Sequence, residues 1–257
     1  MRRAIVFVVG VALVFAALVI TAPASLVDGR LDALSAGRLR LANASGTLWN
    51  GAGDVRVLPG NAGMPVSWHI DAWPLLWGEL RGTLSGSDDA TPATSFIVSA
   101  REATVRNVAL ALPASTVLRA AGAPDSLAMA GGNVGLRISE LTWRGDRIDG
   151  QLALRWDQAT LQAALIGPRP SPRIALGDVR FDGTGQGSAI AGTLTNTGGD
   201  VEISGTASAS ANGAARVDAL IRPRAGIDAD RANAIGSALA AIGRPDGSGA
   251  FRITVVR

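Results

Sequence analysis

Val66-Ser67-Trp68-His69-Ile70-Asp71 places an apolar side chain at every second position. A strand turns successive side chains to opposite faces, so Val66, Trp68 and Ile70 share one face while Ser67, His69 and Asp71 share the other. The same period of two extends outward from this stretch. Leu39 and Leu41 alternate with Arg38 and Arg40, and Val55 and Val57 flank Arg56. Leu136 and Ile138 flank Arg137, and Leu152, Leu154 and Trp156 alternate with Ala153, Arg155 and Asp157. The pattern returns at Val201–Ile203, Val217–Ile221 and Phe251–Val255. Turn formers stand between the runs: Gly51-Ala52-Gly53, Pro59-Gly60-Asn61, Gly131-Gly132-Asn133, Asp182-Gly183, Gly198-Gly199-Asp200 and Asn212-Gly213. Such short spacing predicts antiparallel hairpins. The expected fold class is mainly β, an elongated antiparallel sheet.

Three segments break the pattern and read as short helices. Pro23–Ala36 carries Leu26, Val27, Leu31 and Leu34, and Pro113–Ala121 opens Pro-Ala-Ser. Asp230–Ile242 spaces Ile235, Leu239 and Ile242 helically, with acidic residues in its first turn. Leu118-Arg-Ala-Ala-Gly122-Ala-Pro124-Asp125 matches Leu239-Ala-Ala-Ile-Gly243-Arg-Pro245-Asp246 in its Leu, Ala, Gly, Pro and Asp. A helix stopped by Gly at its C-terminal cap, with Pro barring continuation, accounts for both. Leu48-Trp49-Asn50-Gly51 is echoed by Leu141-Thr142-Trp143-Arg144-Gly145. Residues 23–112 and 113–257 thus read as two versions of one plan, helix then strands.

The chain begins differently. Arg2 and Arg3 precede Ala4–Ile20, an unbroken run of apolar residues and one Gly. A helix over Ala4–Ala22 would be roughly 28 Å long at about 1.5 Å per residue. That nearly matches a hydrocarbon core of about 30 Å. Basic residues favour the cytoplasmic side, so Met1–Arg3 is expected in the cytoplasm and the bulk in the periplasm of a bacterium. Ala22-Pro23-Ala24 also fits a small-x-small cleavage site. Signal-peptide cores usually run about 7–15 residues, shorter than this one, and an uncleaved single-pass anchor is the expectation.

Composition narrows the possibilities. Cys is absent, which excludes a disulfide framework and thiolate metal sites. All 24 basic residues are Arg, against 21 acidic residues, so the isoelectric point near 11 reflects the lack of Lys and Tyr rather than excess charge. The Arg residues are scattered singly, and nucleic acid, which requires a clustered basic patch, is not an expected partner. Six of the eleven aromatic residues are Trp, and they supply much of the large apolar area.

Gly46-Thr47-Leu48-Trp49-Asn50-Gly51-Ala52-Gly53 is the sharpest local signature. Gly46 and Gly51 permit tight backbone geometry beside a short strand, across which Trp49 would lie as a lid. A second cluster follows in Val66-Ser-Trp68-His-Ile70 and Trp73-Pro-Leu-Leu-Trp77. Trp49, Trp68, Trp73 and Trp77 are the candidate residues for a packed or docking surface.

With these features the chain resembles type II secretion system protein N. The resemblance rests on one N-terminal anchor, Pro23-Ala24 opening a short helix, the strand Gly37–Leu41, Gly-Thr-Leu-Trp-x-Gly at 46–51, and a Val-x-Trp strand followed by Pro-Leu-Leu. It is closest over the anchor and roughly the first 90 residues. It implies a bitopic inner-membrane accessory component of the machine that moves folded periplasmic proteins across the outer membrane, with other secretion subunits as partners.

Catalytic chemistry finds little to use. The single His, His69, sits on a strand between Trp68 and Ile70, so any Ser-His-Asp triad would have to be built on it. Asp88-Asp89 falls in the polar stretch Ser85–Thr94 without the spacing of a metal loop. Gly183-Thr-Gly185-Gln-Gly187 lacks the Lys and the strand-to-helix setting of a phosphate loop. The expectation is a non-enzyme without cofactor or metal. Two readings remain: an assembly partner docking other subunits through sheet edges or Trp-bearing faces, or an open apolar trough that holds or transfers lipid. They part on whether alternate apolar residues are consumed in a core or left as an exposed strip.

Overall fold

A computed structural model of the chain describes residues 23–24, 29, 35, 37, 39–57, 63–86, 92–120, 130–162, 173–211, 213–241 and 243–256. The anchor Ala4–Ala22, most of the helix expected over Pro23–Ala36, and Asp88-Asp89 lie outside these residues. No helix among the described residues is long and apolar enough to cross a membrane. The chain forms two compact units, Met1–Ala100 and Arg101–Arg257.

In the first unit the period-two stretches become an antiparallel meander. Its strands are β1 (Leu39–Gly46), β2 (Asn50–Val57), β3 (Gly63–Asp71), β4 (Glu79–Gly86) and β5 (Thr94–Ser99), paired in chain order. A 3₁₀ turn, Trp73–Trp77, joins β3 to β4 and is stopped by Gly78 in the left-handed conformation at φ 75°. Among the described residues Ala24, Leu41 and Trp68 are buried in this unit's core, with Ala44, Val55, Val66 and Ile70 against them.

The second unit holds β6 (Ala103–Pro113), β7 (Gly131–Arg144), β8 (Arg147–Gln162), β9 (Arg173–Gln186), β10 (Ala189–Thr197), β11 (Val201–Ser210), β12 (Ala215–Pro223), β13 (Arg244–Pro245) and β14 (Phe251–Val256). Neighbours again pair antiparallel in chain order through β12, which then pairs with β14, and β13 pairs with β14. Helix α1 (Ala114–Ala120) follows β6, and α2 (Ala229–Ala240) follows β12. Asp228 caps α2, its carboxylate accepting the N–H groups of Asp230 (2.9 Å) and Arg231 (3.3 Å). Ile235 and Leu239 on α2 close over Ala159, Ile174, Leu176, Val179, Val201 and Ile203.

Cross-strand register lines up the apolar positions. Leu110, Leu136, Leu154, Phe181 and Leu194 form one rung across β6–β10. On the opposite face Arg137, Ala153, Asp182 and Thr193 form a polar rung, and Arg180 pairs with Asp182 at 2.8 Å.

Several expectations are corrected. Gly51–Gly53, Gly131–Asn133 and Asp182-Gly183 are not turns; they lie inside β2, β7 and β9. In a strand these glycines make room for a neighbour. A Cβ on Gly53 would stand 2.9 Å from Leu41 Cδ1, and one on Gly183 would stand 2.7 Å from Phe181 Cε1. Pro23 bridges Thr47, and the Ala24 N–H donates to the Gly46 carbonyl at 3.3 Å; Gly29, within the helix expected over Pro23–Ala36, is helical. Gly243 follows α2 without a left-handed φ. Its N–H donates to the Leu239 carbonyl at 2.8 Å, and a Cβ there would meet β14 at Arg252 O and Ile253 Cγ1. Close approach of β14, rather than a left-handed cap, explains that glycine.

Candidate interaction surface

The four tryptophans meet three environments, although three of them come from one 10-residue stretch. Trp68 is the buried one, 5% exposed. Alternation on β3 turns its ring to the core face, and the register sets Gly51 directly beside it. A Cβ on Gly51 would lie 2.4 Å from Trp68 Cζ2, so only glycine leaves space for the ring. Its indole Nε1 donates to the Leu48 carbonyl at 3.0 Å, satisfying the one polar atom that burial would otherwise strand. The lid over the glycine motif is therefore Trp68, not Trp49. Trp49 is half-buried in the β1–β2 connection, and its carbonyl accepts the Ile70 N–H at 2.7 Å.

Trp73 and Trp77 are the opposite case. They are 74% and 75% exposed, with Leu76 at 69% between them. Pro74 sits in the first turn, where its missing N–H costs nothing. Four residues of 3₁₀ separation set the two rings beside each other, centroids 6.4 Å apart and tilted 56°. Trp73, Leu75, Leu76 and Trp77 make up the first unit's main group of exposed large apolar side chains, and none of the turn is buried. Charges at its base are compensated: Arg81 binds Glu79 at 2.6 Å, and His69 lies 3.4 Å from Asp71. Sequence reasoning placed all four Trp together; what it missed is that strand alternation buries one while the turn projects two.

Other polar clusters read as structural. Asp200 accepts from Arg231 Nε (3.0 Å) and from the Ala175 N–H (2.8 Å), tying α2 to β9 and to the β10–β11 turn. The Arg231 guanidinium holds the Asp200 carboxyl below the usual carboxylate range, outweighing an opposing effect of burial, with a smaller contribution from the Ala175 N–H. Asp246 is likewise lowered, chiefly by the Ser248 N–H, within the turn before β14. Asn43, Ser45, Asp54, Pro65 and Ser67 line an open groove of roughly 320 Å³ on the first unit, crossed by the Asn43 Nδ2–Asp54 Oδ2 hydrogen bond at 2.7 Å. His69 is solvent-facing on β3, and among the described residues no three potential metal ligands come together.

A two-unit antiparallel β scaffold with an exposed aromatic turn is the class that this fold and surface define. The sequence pattern of the family described as Type II secretion system (T2SS), protein N, matches residues 37–254, across both units. The chain belongs to that family, and membership implies a role in type II secretion. No curated protein and no solved structure matches the chain.

Proposed function

We propose that this chain is a non-catalytic, single-pass inner-membrane component of the type II secretion machinery, anchored by Ala4–Ala22 with its N-terminus cytoplasmic and its β units in the periplasm. Those units act in assembly by binding other secretion subunits. The family match over residues 37–254 is the observation that carries this reading. The polar rung through Arg137 and Thr193 offers solvent-facing, hydrogen-bonding side chains on a rigid sheet. The lone His69 is too exposed to have the desolvated setting of a tuned catalytic base.

A second reading, an envelope protein that binds or transfers lipid in an apolar trough, draws on the rung Leu110–Leu136–Leu154. These residues are half-buried and stand outside the core closed by α2. Photoreactive residues at Arg137 and Thr193, and separately at Leu136 and Leu154, separate the two in the native host. Capture of secretion subunits from the polar positions is expected. Lipid captured at Leu136 and Leu154, with no protein from any position, sinks the assembly reading in favour of the trough.

A further inference from the structure

We infer that the Trp73–Trp77 turn is a second membrane contact, seated in the headgroup layer on the periplasmic side and holding the first unit against the bilayer. The inference rests on the anchor reading and deepens it.

Chain geometry carries the argument. The expected anchor ends at Ala22, and the next two residues are already fixed to the sheet: Pro23 bridges Thr47, and Ala24 donates to Gly46. The β1–β2 connection is in turn fixed to the end of β3. Asn50 pairs with His69, and the Ile70 N–H donates to the Trp49 carbonyl. β3 ends at Asp71, and the aromatic turn starts two residues later. Pro23 and the aromatic turn therefore leave the same end of the sheet. They are separated laterally by about two strand spacings, roughly 10 Å. No linker intervenes to lift that end away from the membrane surface. The layer between the hydrocarbon edge and bulk water is about 5–7 Å thick on each side, within reach of side chains at that end. The far end of the sheet, where Arg56 pairs with Gly63, lies about 20 Å further along the strands.

The chemistry of the turn suits that layer. Trp favours the interface, where an apolar ring and a polar N–H are both accommodated. Leu76 and Leu75 between the rings supply the part that enters the acyl boundary. Pairing of Arg81 with Glu79 leaves no excess positive charge at the base of the turn. Seating is thus apolar, and anionic lipid is not required. An exposed Trp-Leu-Leu-Trp cluster in water would otherwise be an unpaired apolar patch.

The chain has no cysteine, so single-cysteine variants report cleanly. Full-length protein carrying Leu76→Cys, Arg56→Cys or Ala12→Cys is spin-labelled and reconstituted into phosphatidylethanolamine vesicles with and without phosphatidylglycerol. Accessibility to oxygen and to an aqueous nickel chelate gives the depth of each label. The expected result is a deep label at 12, a label at the headgroup–acyl boundary at 76, an aqueous label at 56, and no dependence on phosphatidylglycerol. A deep label at 12 with an aqueous label at 76 overturns this inference and leaves the anchor intact. An aqueous label at 12 removes the anchor reading itself, and the inference with it. A label at 76 that is aqueous in vesicles but shielded in native membranes assigns the turn to a protein partner and also overturns the inference. Leu76 is mostly exposed, so its replacement leaves the fold undisturbed.

Discussion

The two units solve the same packing problem in different ways. Each is an antiparallel meander with one apolar face, and a sheet alone cannot bury that face. In the second unit α2 lies across the strands, and Ile235 and Leu239 seal a core of eight buried residues. In the first, the described residues pack by laying side chains sideways within the sheet: Trp68 over Gly51, Leu41 over Gly53, and the Phe96 ring over Gly82. Among the described residues the first unit's core is smaller, and its largest exposed apolar group stands at one end. A helix lid gives a thick core that tolerates half-exposed flanking rungs. The described strands of the first unit rely on a few matched pairs of a glycine and a neighbouring side chain.

Substitutions break or sharpen that contrast. Trp68→Ala should have the largest effect, a loss of about 3–5 kcal/mol, read by denaturant unfolding of the full-length protein in detergent. A loss below about 1 kcal/mol would mean that the ring is not the first unit's keystone. Ile235→Ala should cost about 2–4 kcal/mol through a cavity beneath α2, and the unfolding transition it shifts should be that of the second unit. Gly51→Ala should cost about 1–3 kcal/mol by driving a methyl into the Trp68 ring. In a Trp68→Ala background the same change should cost much less, a coupling that a double-mutant cycle measures.

Acid should loosen the tie between α2 and the sheet. Asp200 titrates lower in the folded state than in the unfolded chain. Its stabilising contribution is therefore complete above the unfolded carboxylate value of about 3.9. It is lost as pH falls through the lower folded value. Asp200→Asn should flatten the acid limb of the stability curve within that window, and an unchanged limb would show that the Arg231 pair contributes nothing there. Trp77→Ala should move stability least, within about 0.5 kcal/mol, because the side chain touches solvent on most of its surface. A larger loss would show that the turn is part of the first unit's core.

Much of this was legible beforehand. Each alternating stretch falls in a strand, because an antiparallel sheet with one wet face imposes that period on the chain. Helix α2 was legible to within two residues, since Asp230 and the spacing of Ile235 and Leu239 mark a start and a buried stripe. The glycines misled. In Gly51-Ala52-Gly53 and Asp182-Gly183 they stand in strands, because local chemistry reads the same whether a glycine makes a bend or vacates space for a ring on the next strand. Local sequence points to Trp49 as the lid for the same reason: it is adjacent to the glycines in sequence, whereas Trp68 is adjacent across the ladder.

By itself the sequence determined the class of fold, the apolar segment at the start, the family, and the lack of Cys and Lys beside a single His, all of which depend on residue type and local spacing. Tertiary structure decided which tryptophan is buried and which are presented, why Gly51, Gly53 and Gly183 are glycines, and that Pro23 and the Trp73–Trp77 turn share one end of a sheet. Those depend on register between strands distant in the chain, and register is set by pairing energies summed over whole ladders, which no local window of sequence contains.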